Sequence, residues 1–156
     1  MNIFVLDNDP VTAAKMVCDK HAVKMPTETA QMLSTVARSY GYGDNFYRPS
    51  YVKHPCTVWV GSCKDAFAWT VEHGLGLCST YTARYGRRHA AQDVIESARQ
   101  VVGNLVEKPM PAFAQAMPDN YKNKDAVVAY RSYYIHEKAR FAKWRHPVAV
   151  PAWWPV

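Results

Sequence analysis

Residues 62–86 read SCKDAFAWTVEHGLGLCSTYTARYG, and this stretch decides the fold class. Its apolar side chains recur at spacings of four, four and three, which is typical of one helix face: Phe67, Val71, Leu75 and Cys78. Ser62 can cap the start of such a helix, and Gly86 is a natural C-terminal stop. Gly74 and Gly76 each cost about 1 kcal/mol relative to alanine inside a helix, so they predict a close helix neighbour.

Further segments on either side also have helical patterns. They are residues 10–20, 26–40, 90–102 and 125–144, with residues 56–60 forming a short helix or an extended piece. Pro26 either starts a second helix or kinks a continuous one, because it cannot donate the hydrogen bond expected inside a helix. With an extended start at residues 3–6 and an extended C-terminal tail, we predict an all-α, single-domain bundle of five or six helices over residues 1–156.

Length and composition indicate a packed globular protein. The chain has 156 residues, of which 49% are hydrophobic and 21% charged. No apolar stretch approaches the roughly 18 residues that cross a bilayer, and Asp7 and Asp9 come too early for a signal peptide. We therefore expect a cytoplasmic protein without a membrane partner. The four cysteines form no C-x-x-C pair, which favours reduced, mostly buried thiols.

The net charge of +6 lies entirely in the second half of the chain. Residues 1–80 contain seven basic and seven acidic side chains, whereas residues 81–156 contain twelve basic and six acidic ones. Clustered Arg and Lys residues are typical of proteins that bind polyanions, because each neutralised phosphate releases counterions. A basic face that is merely solvated is the alternative that charge alone leaves open.

One constellation on the early helices can support catalysis. In the run HAVKMPTETAQ, His21, Lys24, Glu28 and Gln31 are spaced three, four and three apart, so they share one stripe if helical geometry continues through Pro26. Together they would supply a proton carrier, an amine nucleophile and a charge-stabilising carboxylate. An ordinary solvent-facing helix with a Lys and Glu pair is the alternative.

Two other segments suggest contacts with phosphates and bases. The segment RYGRRH at residues 84–89 has more cations than a helix C-terminus needs, which favours phosphate binding. In the loop at residues 42–55, aromatic side chains alternate with cations and can stack on bases or form a local core: Tyr42, Phe46, Tyr47 and Tyr51 with Arg48 and Lys53. The histidines lack metal-ligand spacing and the chain has no P-loop or Rossmann fingerprint, so we expect neither a metal nor a cofactor.

Several runs resemble a known family. They are the opening MNIF, DKHAVKMPTETAQML, HPCTVWVG, RYGRRH, MPDNY, AYRSYYIHEKARFAKW and the closing PAWW. The set resembles small bacteriophage proteins of the pyrimidine-dimer DNA glycosylase family, the phage endonuclease V type. The resemblance implies a compact helical fold, a location in the host cytoplasm, DNA as the partner, and action on a base exposed in DNA.

The resemblance also implies a mechanism, and the chain departs from its pattern in two places. Characterised members attack the sugar C1′ with the α-amine that is freed when the initiator Met is removed, and they use a glutamate that follows an arginine. Asn2 is too large for efficient Met removal, and no arginine neighbours Glu28. Lys24 can replace the amine as a Schiff-base nucleophile if a dry pocket lowers its pKa, with Glu28 stabilising the sugar cation.

The leading hypothesis is therefore a DNA glycosylase and lyase with His21, Lys24 and Glu28 at the reacting centre. A transferase that modifies a pyrimidine in DNA and a non-catalytic DNA- or protein-binding factor are the alternatives. The residues expected to bind DNA are Arg48, Lys53, His54, Arg84, Arg87, Arg88, His89, Arg131 and Lys138.

Overall fold

The computed structural model describes residues 1–155, and within them it contains six α-helices and no β-strand. The helices are α1 (Pro10–Met16), α2 (Asp19–Ser39), α3 (Pro55–Val60), α4 (Lys64–Tyr85), α5 (Gln92–Ser97) and α6 (Ala126–Glu137). Two short 3-10 segments, Ala98–Asn104 and Asp119–Tyr121, lie between α5 and α6. The predicted all-α fold with five or six helices is confirmed.

Helix α4 is the centre of the fold, because α1, α2 and α5 all pack against it. Its two internal glycines permit this packing. A Cβ atom at Gly76 would lie 2.8 Å from the Cβ of Ala14 in α1, and one at Gly74 would lie 3.0 Å from the side chain of Thr29 in α2. The predicted close helix neighbour is confirmed. Gly86 ends α4 in the left-handed conformation, with φ 70°, as expected of a helix stop.

Helix α2 runs without interruption through Pro26. The helix expected from Pro10 to residue 20 instead ends at Met16, because Val17 and Cys18 are extended, with ψ values of 145° and 167°. Of the two interpretations of Pro26, the continuous helix is the correct one. The stripe that begins at His21 therefore lies on a single helix.

Helix α6 ends seven residues earlier than predicted, at Glu137. The segment after it crosses to the start of α2. There the backbone N–H of Asp19 donates to the Lys143 carbonyl at 2.8 Å, and the Asp19 carboxylate accepts from the Arg145 N–H at 2.8 Å. Trp144 also donates its indole N–H to the Met16 carbonyl at 2.9 Å. These tertiary contacts hold the segment against α1 and α2 in place of further helical turns.

Two smaller expectations can also be compared with the fold. All four cysteines are buried and free, as predicted. No helix between residues 1 and 155 is both long and apolar enough to cross a membrane.

Candidate active site

The predicted stripe on α2 faces two adjoining clefts. Met1, Lys24 and Glu28 line both of them. The first cleft, of about 200 Å³, is completed by Asn2, Phe4, His21, Met25, Ala116, Tyr133 and Lys138. The second cleft, of about 440 Å³, is completed by Thr27, Gln31 and Tyr51. The fold thus brings His21, Lys24 and Glu28 together, with Glu28 where the two clefts meet.

The Glu28 carboxylate lies between two amines. Its Oε1 is 3.2 Å from the α-amine nitrogen of Met1, and its Oε2 is 3.5 Å from Nζ of Lys24. The Glu28 side chain is 11% exposed, whereas that of Lys24 is 64% exposed. Within the described residues, Oε1 makes no hydrogen bond of good geometry although it is buried. This oxygen is therefore available to accept a proton from the neighbouring amine.

The Met1 amine is fixed in place while remaining open to the clefts. The Met1 side chain is only 2% exposed, yet the residue as a whole is half-buried, so its exposed part is the backbone end. Asn2, the next residue, is buried: its Nδ2 donates to the Ala116 carbonyl at 2.8 Å, and its Oδ1 accepts from the Tyr130 hydroxyl at 2.9 Å. Asn2 therefore anchors the amine beside Glu28, and a methionine that is retained still presents an amine to the clefts.

His21 is a buried, neutral imidazole. Its ring stacks on Phe4 at a centroid distance of 4.3 Å, and its Nδ1 lies 2.5 Å from the Tyr134 hydroxyl. Burial, and after it the ammonium groups of Lys138, Lys24 and Lys20, lower the pKa of His21 from 6.5 to about 3. At pH 7 the ring can make a hydrogen bond but is a poor acceptor of a full proton.

The Tyr134 hydroxyl fixes the orientation of the His21 ring. It accepts the backbone N–H of Cys18 at 3.1 Å, and burial raises the Tyr134 pKa well above its usual value. The hydroxyl also lies 2.5 Å from Nδ1 of His21 and 3.4 Å from the Cys18 sulfur, to which it can donate.

Three lysines make the surroundings of the first cleft positive. Lys20, Lys24 and Lys138 are each close enough to His21 to lower its pKa. Lys138 lines the cleft and its Nζ lies 4.8 Å from the Tyr133 ring centroid. Among residues 1–155, Glu28 is the only acidic residue that lines either cleft. An anionic ligand would therefore be attracted to this face of the protein.

Arg84, which was expected to bind phosphate, is buried in the protein interior. Its side chain is 0% exposed, and its guanidinium pairs with the Asp19 carboxylate at 3.0 Å. It also donates to the Val17 and Lys15 carbonyls at 2.7 and 3.2 Å and to the Thr80 hydroxyl at 3.1 Å. These bonds tie the end of α4 to the junction of α1 and α2, so the group is not available to DNA in this structure.

The other arginines expected at the interface differ in their availability. Arg88 lies between Asp93 and Glu96, at 2.5 and 3.2 Å, so its charge is already balanced. Arg131 is half-buried, donates to the Leu6 carbonyl at 2.9 Å and lies 3.5 Å from Asp7.

The remaining residues that were expected to contact DNA differ in their exposure to solvent. Arg87 is exposed and donates to the Tyr81 hydroxyl at 3.0 Å, whereas His89 is half-buried and contacts the Val23 carbonyl at 2.9 Å. His54 caps α3, accepting the Cys56 N–H at 3.1 Å, and burial together with the Met1 amine lowers its pKa. Arg48 and Lys53 are exposed on the loop beside it.

The structure separates the aromatic residues of that loop into two kinds. Phe46 is buried, Tyr47 is half-buried, and the Tyr42 hydroxyl donates to the Asn104 side chain at 2.8 Å, so these three form a local core. Tyr51 is 59% exposed and is the one aromatic side chain of the loop that lines a cleft with Glu28. The local-core interpretation therefore holds for three of these aromatic side chains, and stacking on a base stays a prediction for Tyr51.

Sequence reasoning missed three features of the site. It did not pair the Met1 amine with Glu28, it treated Asn2 only as an obstacle to methionine removal, and it did not include Tyr133. The signal for the first was available: residues 3–6 are an apolar run that is separated from Met1 by Asn2 alone, and burial of that run must bring the amine into the fold. The anchoring role of Asn2 depends on residues more than a hundred positions away.

Comparison with known proteins gives one match. The family model described as pyrimidine dimer DNA glycosylase matches residues 1–93, a range that includes Met1, His21, Lys24, Glu28 and Tyr51. Neither a curated protein nor a solved structure matches the chain.

Proposed function

The chain belongs to the pyrimidine dimer DNA glycosylase family, and on that premise we propose that it is a DNA glycosylase with an associated lyase activity that acts on a pyrimidine base in DNA. The observation that best supports this function is the 3.2 Å contact between the Met1 α-amine and the Glu28 carboxylate at the junction of two clefts. Schiff-base chemistry at a sugar carbon requires an amine nucleophile, and a buried carboxylate beside that amine can accept its proton.

The proposed reaction begins at the Met1 amine in its unprotonated form. The nitrogen attacks C1′ of the target nucleotide, and the bond from C1′ to the base breaks, so the base leaves with the bonding electrons. Glu28 stabilises the positive charge that develops on the sugar and accepts the proton that the amine releases. Opening of the sugar ring gives a Schiff base between residue 1 and C1′. Removal of a C2′ proton then expels the 3′ phosphate.

Lys24 is the competing nucleophile, and its exposure argues against it. A lysine becomes nucleophilic at neutral pH when burial disfavours its charged form. The Lys24 side chain is 64% exposed, whereas the Met1 amine is anchored through Asn2. We therefore assign the nucleophile to Met1, and we assign Lys24 to the positive field that attracts the DNA backbone.

The DNA backbone would approach along the first cleft. Lys24 and Lys138 line it and Lys20 lies near His21, so three cations cluster against the one carboxylate of Glu28, and the excess positive charge attracts a polyanion. The exposed cations Arg48 and Lys53 are on the loop that contains Tyr51, which lines the second cleft. We propose that the backbone spans these two groups of cations, so that C1′ of one nucleotide lies against Met1.

Borohydride trapping tests the function. The protein is incubated with a duplex containing one cyclobutane pyrimidine dimer, and with the same duplex undamaged, in the presence of sodium borohydride. We expect a covalent protein–DNA complex and strand cleavage with the damaged duplex alone. If the protein binds the damaged duplex without trapping or cleavage, the lyase assignment is wrong. A base-modifying transferase or a non-catalytic binder would then be the better interpretation.

A further inference from the structure

We propose that the second cleft is a nucleobase pocket, in which the Tyr51 ring stacks on the extruded base and the Gln31 amide binds the edge of that base. This inference rests on the proposed function. Tyr51 and Gln31 line the same cleft of about 440 Å³ as Met1 and Glu28. A base attached to a C1′ that lies against the Met1 amine must occupy space next to that amine, and the second cleft supplies it.

The backbone of Tyr51 is strained. Its φ is 49°, in the left-handed region that non-glycine residues rarely adopt, and Phe4, with φ 42°, is the other such residue within 1–155. Phe4 lines the first cleft and Tyr51 the second. Strained residues persist only where the surrounding structure imposes the conformation, and they cluster at functional sites. Both of these residues border the clefts that meet at Glu28.

Hydrogen bonds on both sides of Tyr51 impose this conformation. The Thr35 hydroxyl accepts from the Ser50 N–H at 3.0 Å and lies 2.8 Å from the Ser50 carbonyl oxygen, to which it donates. On the other side, the Tyr51 carbonyl accepts the His54 N–H at 3.0 Å. The loop is thus attached to α2 just before Tyr51 and to the start of α3 just after it. The backbone that carries the ring is therefore held in place before any ligand binds.

The chemistry of the pocket walls fits a base. An exposed aromatic ring offers a flat apolar face to any base, and stacking of this kind tolerates different base identities. The Gln31 amide is half-buried on α2, one helical turn after Glu28, and it can both donate and accept a hydrogen bond. Thr27, on the same helix, adds a hydroxyl. Tyr51 would thus supply affinity and Gln31 the discrimination between bases.

The test compares two substrates with three variants. The substrates are the duplex containing a pyrimidine dimer and a duplex with a preformed abasic site, which has no base to stack. The variants are Tyr51→Phe, which keeps the ring, Tyr51→Leu, which removes it but keeps Cβ, and a matched control, Tyr40→Leu. Tyr40 is also an exposed tyrosine, at 41%, but it lies about three helical turns beyond Glu28 at the end of α2.

We expect Tyr51→Leu to lower the single-turnover rate on the dimer duplex about five- to a hundredfold, the range that loss of one stacking contact gives. Borohydride trapping at the abasic site should stay within about threefold of wild type, because no base is involved. Tyr51→Phe and Tyr40→Leu should behave as wild type. Equal losses on both substrates, or no loss on the dimer duplex, would overturn the proposal.

A binding measurement tests the base pocket independently of the proposed lyase activity. A single strand containing the fluorescent base pyrrolocytosine is titrated with each protein, and no catalysis is needed. Wild type and Tyr51→Phe should quench the fluorescence, whereas Tyr51→Leu should not. If the wild-type protein forms no trapped complex at the abasic site but quenches the fluorescence in a way that depends on Tyr51, the lyase assignment is wrong and the base pocket is supported. Absence of quenching by wild type would refute the pocket.

Discussion

The α-amine of Met1 lies 3.2 Å from Oε1 of Glu28, and the two groups come from opposite sides of the site, one from the extended N-terminal segment and one from the middle of α2. The contact exists because residues 3–6 are buried and Asn2 is bonded to Ala116 and Tyr130. The proposed reacting centre is therefore assembled by tertiary packing.

Glu28→Gln should slow single-turnover cleavage of the dimer duplex by on the order of a hundredfold or more, because an amide neither stabilises a sugar cation as a carboxylate does nor accepts a proton. Glu28→Asp keeps the carboxylate and should recover part of the rate. Rates are measured together with far-ultraviolet circular dichroism, which should show an intact helical fold. Full activity in the Gln variant would remove Glu28 from the mechanism.

Lys24→Arg should keep most borohydride trapping and most DNA binding. Guanidinium retains the positive charge but is not a usable nucleophile at neutral pH. The variant therefore shows which of the two amines beside Glu28, that of Met1 or that of Lys24, is the nucleophile. Trapping yield and affinity are measured in parallel at one salt concentration. A complete loss of trapping with unchanged affinity would make Lys24 the nucleophile.

Binding to DNA should weaken steeply with salt, with a slope that depends on the lysines around the first cleft. Replacing Lys20 and Lys138 together by Ala should reduce the slope of log K against log salt by about two units. The matched pair Arg87→Ala and Arg88→Ala should reduce it less, because Asp93 and Glu96 already balance Arg88. The reverse order would place the DNA on the segment at residues 84–89.

Arg84→Ala should destabilise the fold by about 3–5 kcal/mol, because it removes the buried guanidinium that pairs with the Asp19 carboxylate and leaves two backbone carbonyls without their donor. Urea denaturation measures this loss. Arg87→Ala, three residues further along and exposed, is the control and should change the free energy of unfolding by less than about 0.5 kcal/mol. Equal, small effects would show that the buried bonds of Arg84 contribute little.

Stability should decrease as pH falls from about 6.5 toward 4. Burial lowers the pKa of His21 to about 3 and that of His73 to about 4, both below the value of 6.5 in an unfolded chain. The unfolded state therefore binds more protons in this window, and each histidine lowers the free energy of unfolding by up to about 1.4 kcal/mol per pH unit. Urea midpoints at pH 7 and pH 5 should show the loss, and His73→Gln should reduce it. A midpoint that does not change would contradict both pKa shifts.

Much of the fold was predictable because its signals are local. The apolar spacing of α4, its stop at Gly86 and the close approach at Gly74 and Gly76 all follow from properties of those residues. Helix α6 was predicted too long because its end depends on bonds between Asp19 and residues 143–145, far away in sequence. Helical spacing also brought His21, Lys24 and Glu28 together correctly, since α2 is continuous.

The remaining parts of the site depend on tertiary contacts that spacing does not encode. A cluster of cations at residues 84–89 gives no sign that Arg84 turns inward, because its partners lie more than sixty residues earlier. Similarly, nothing in the loop at residues 42–55 distinguishes Tyr51 from Phe46 until α2 fixes which of them faces the cleft.

The most direct test of the central claim is to identify the residue that becomes attached to the DNA. Wild-type protein is trapped on an abasic duplex with borohydride, digested with protease and nuclease, and the modified peptide is sequenced by mass spectrometry. We expect a sugar adduct on the α-nitrogen of residue 1, and no adduct when an N-terminal extension moves that amine away from Glu28. An adduct on Lys24, or an undiminished yield with the extended protein, would contradict the central claim.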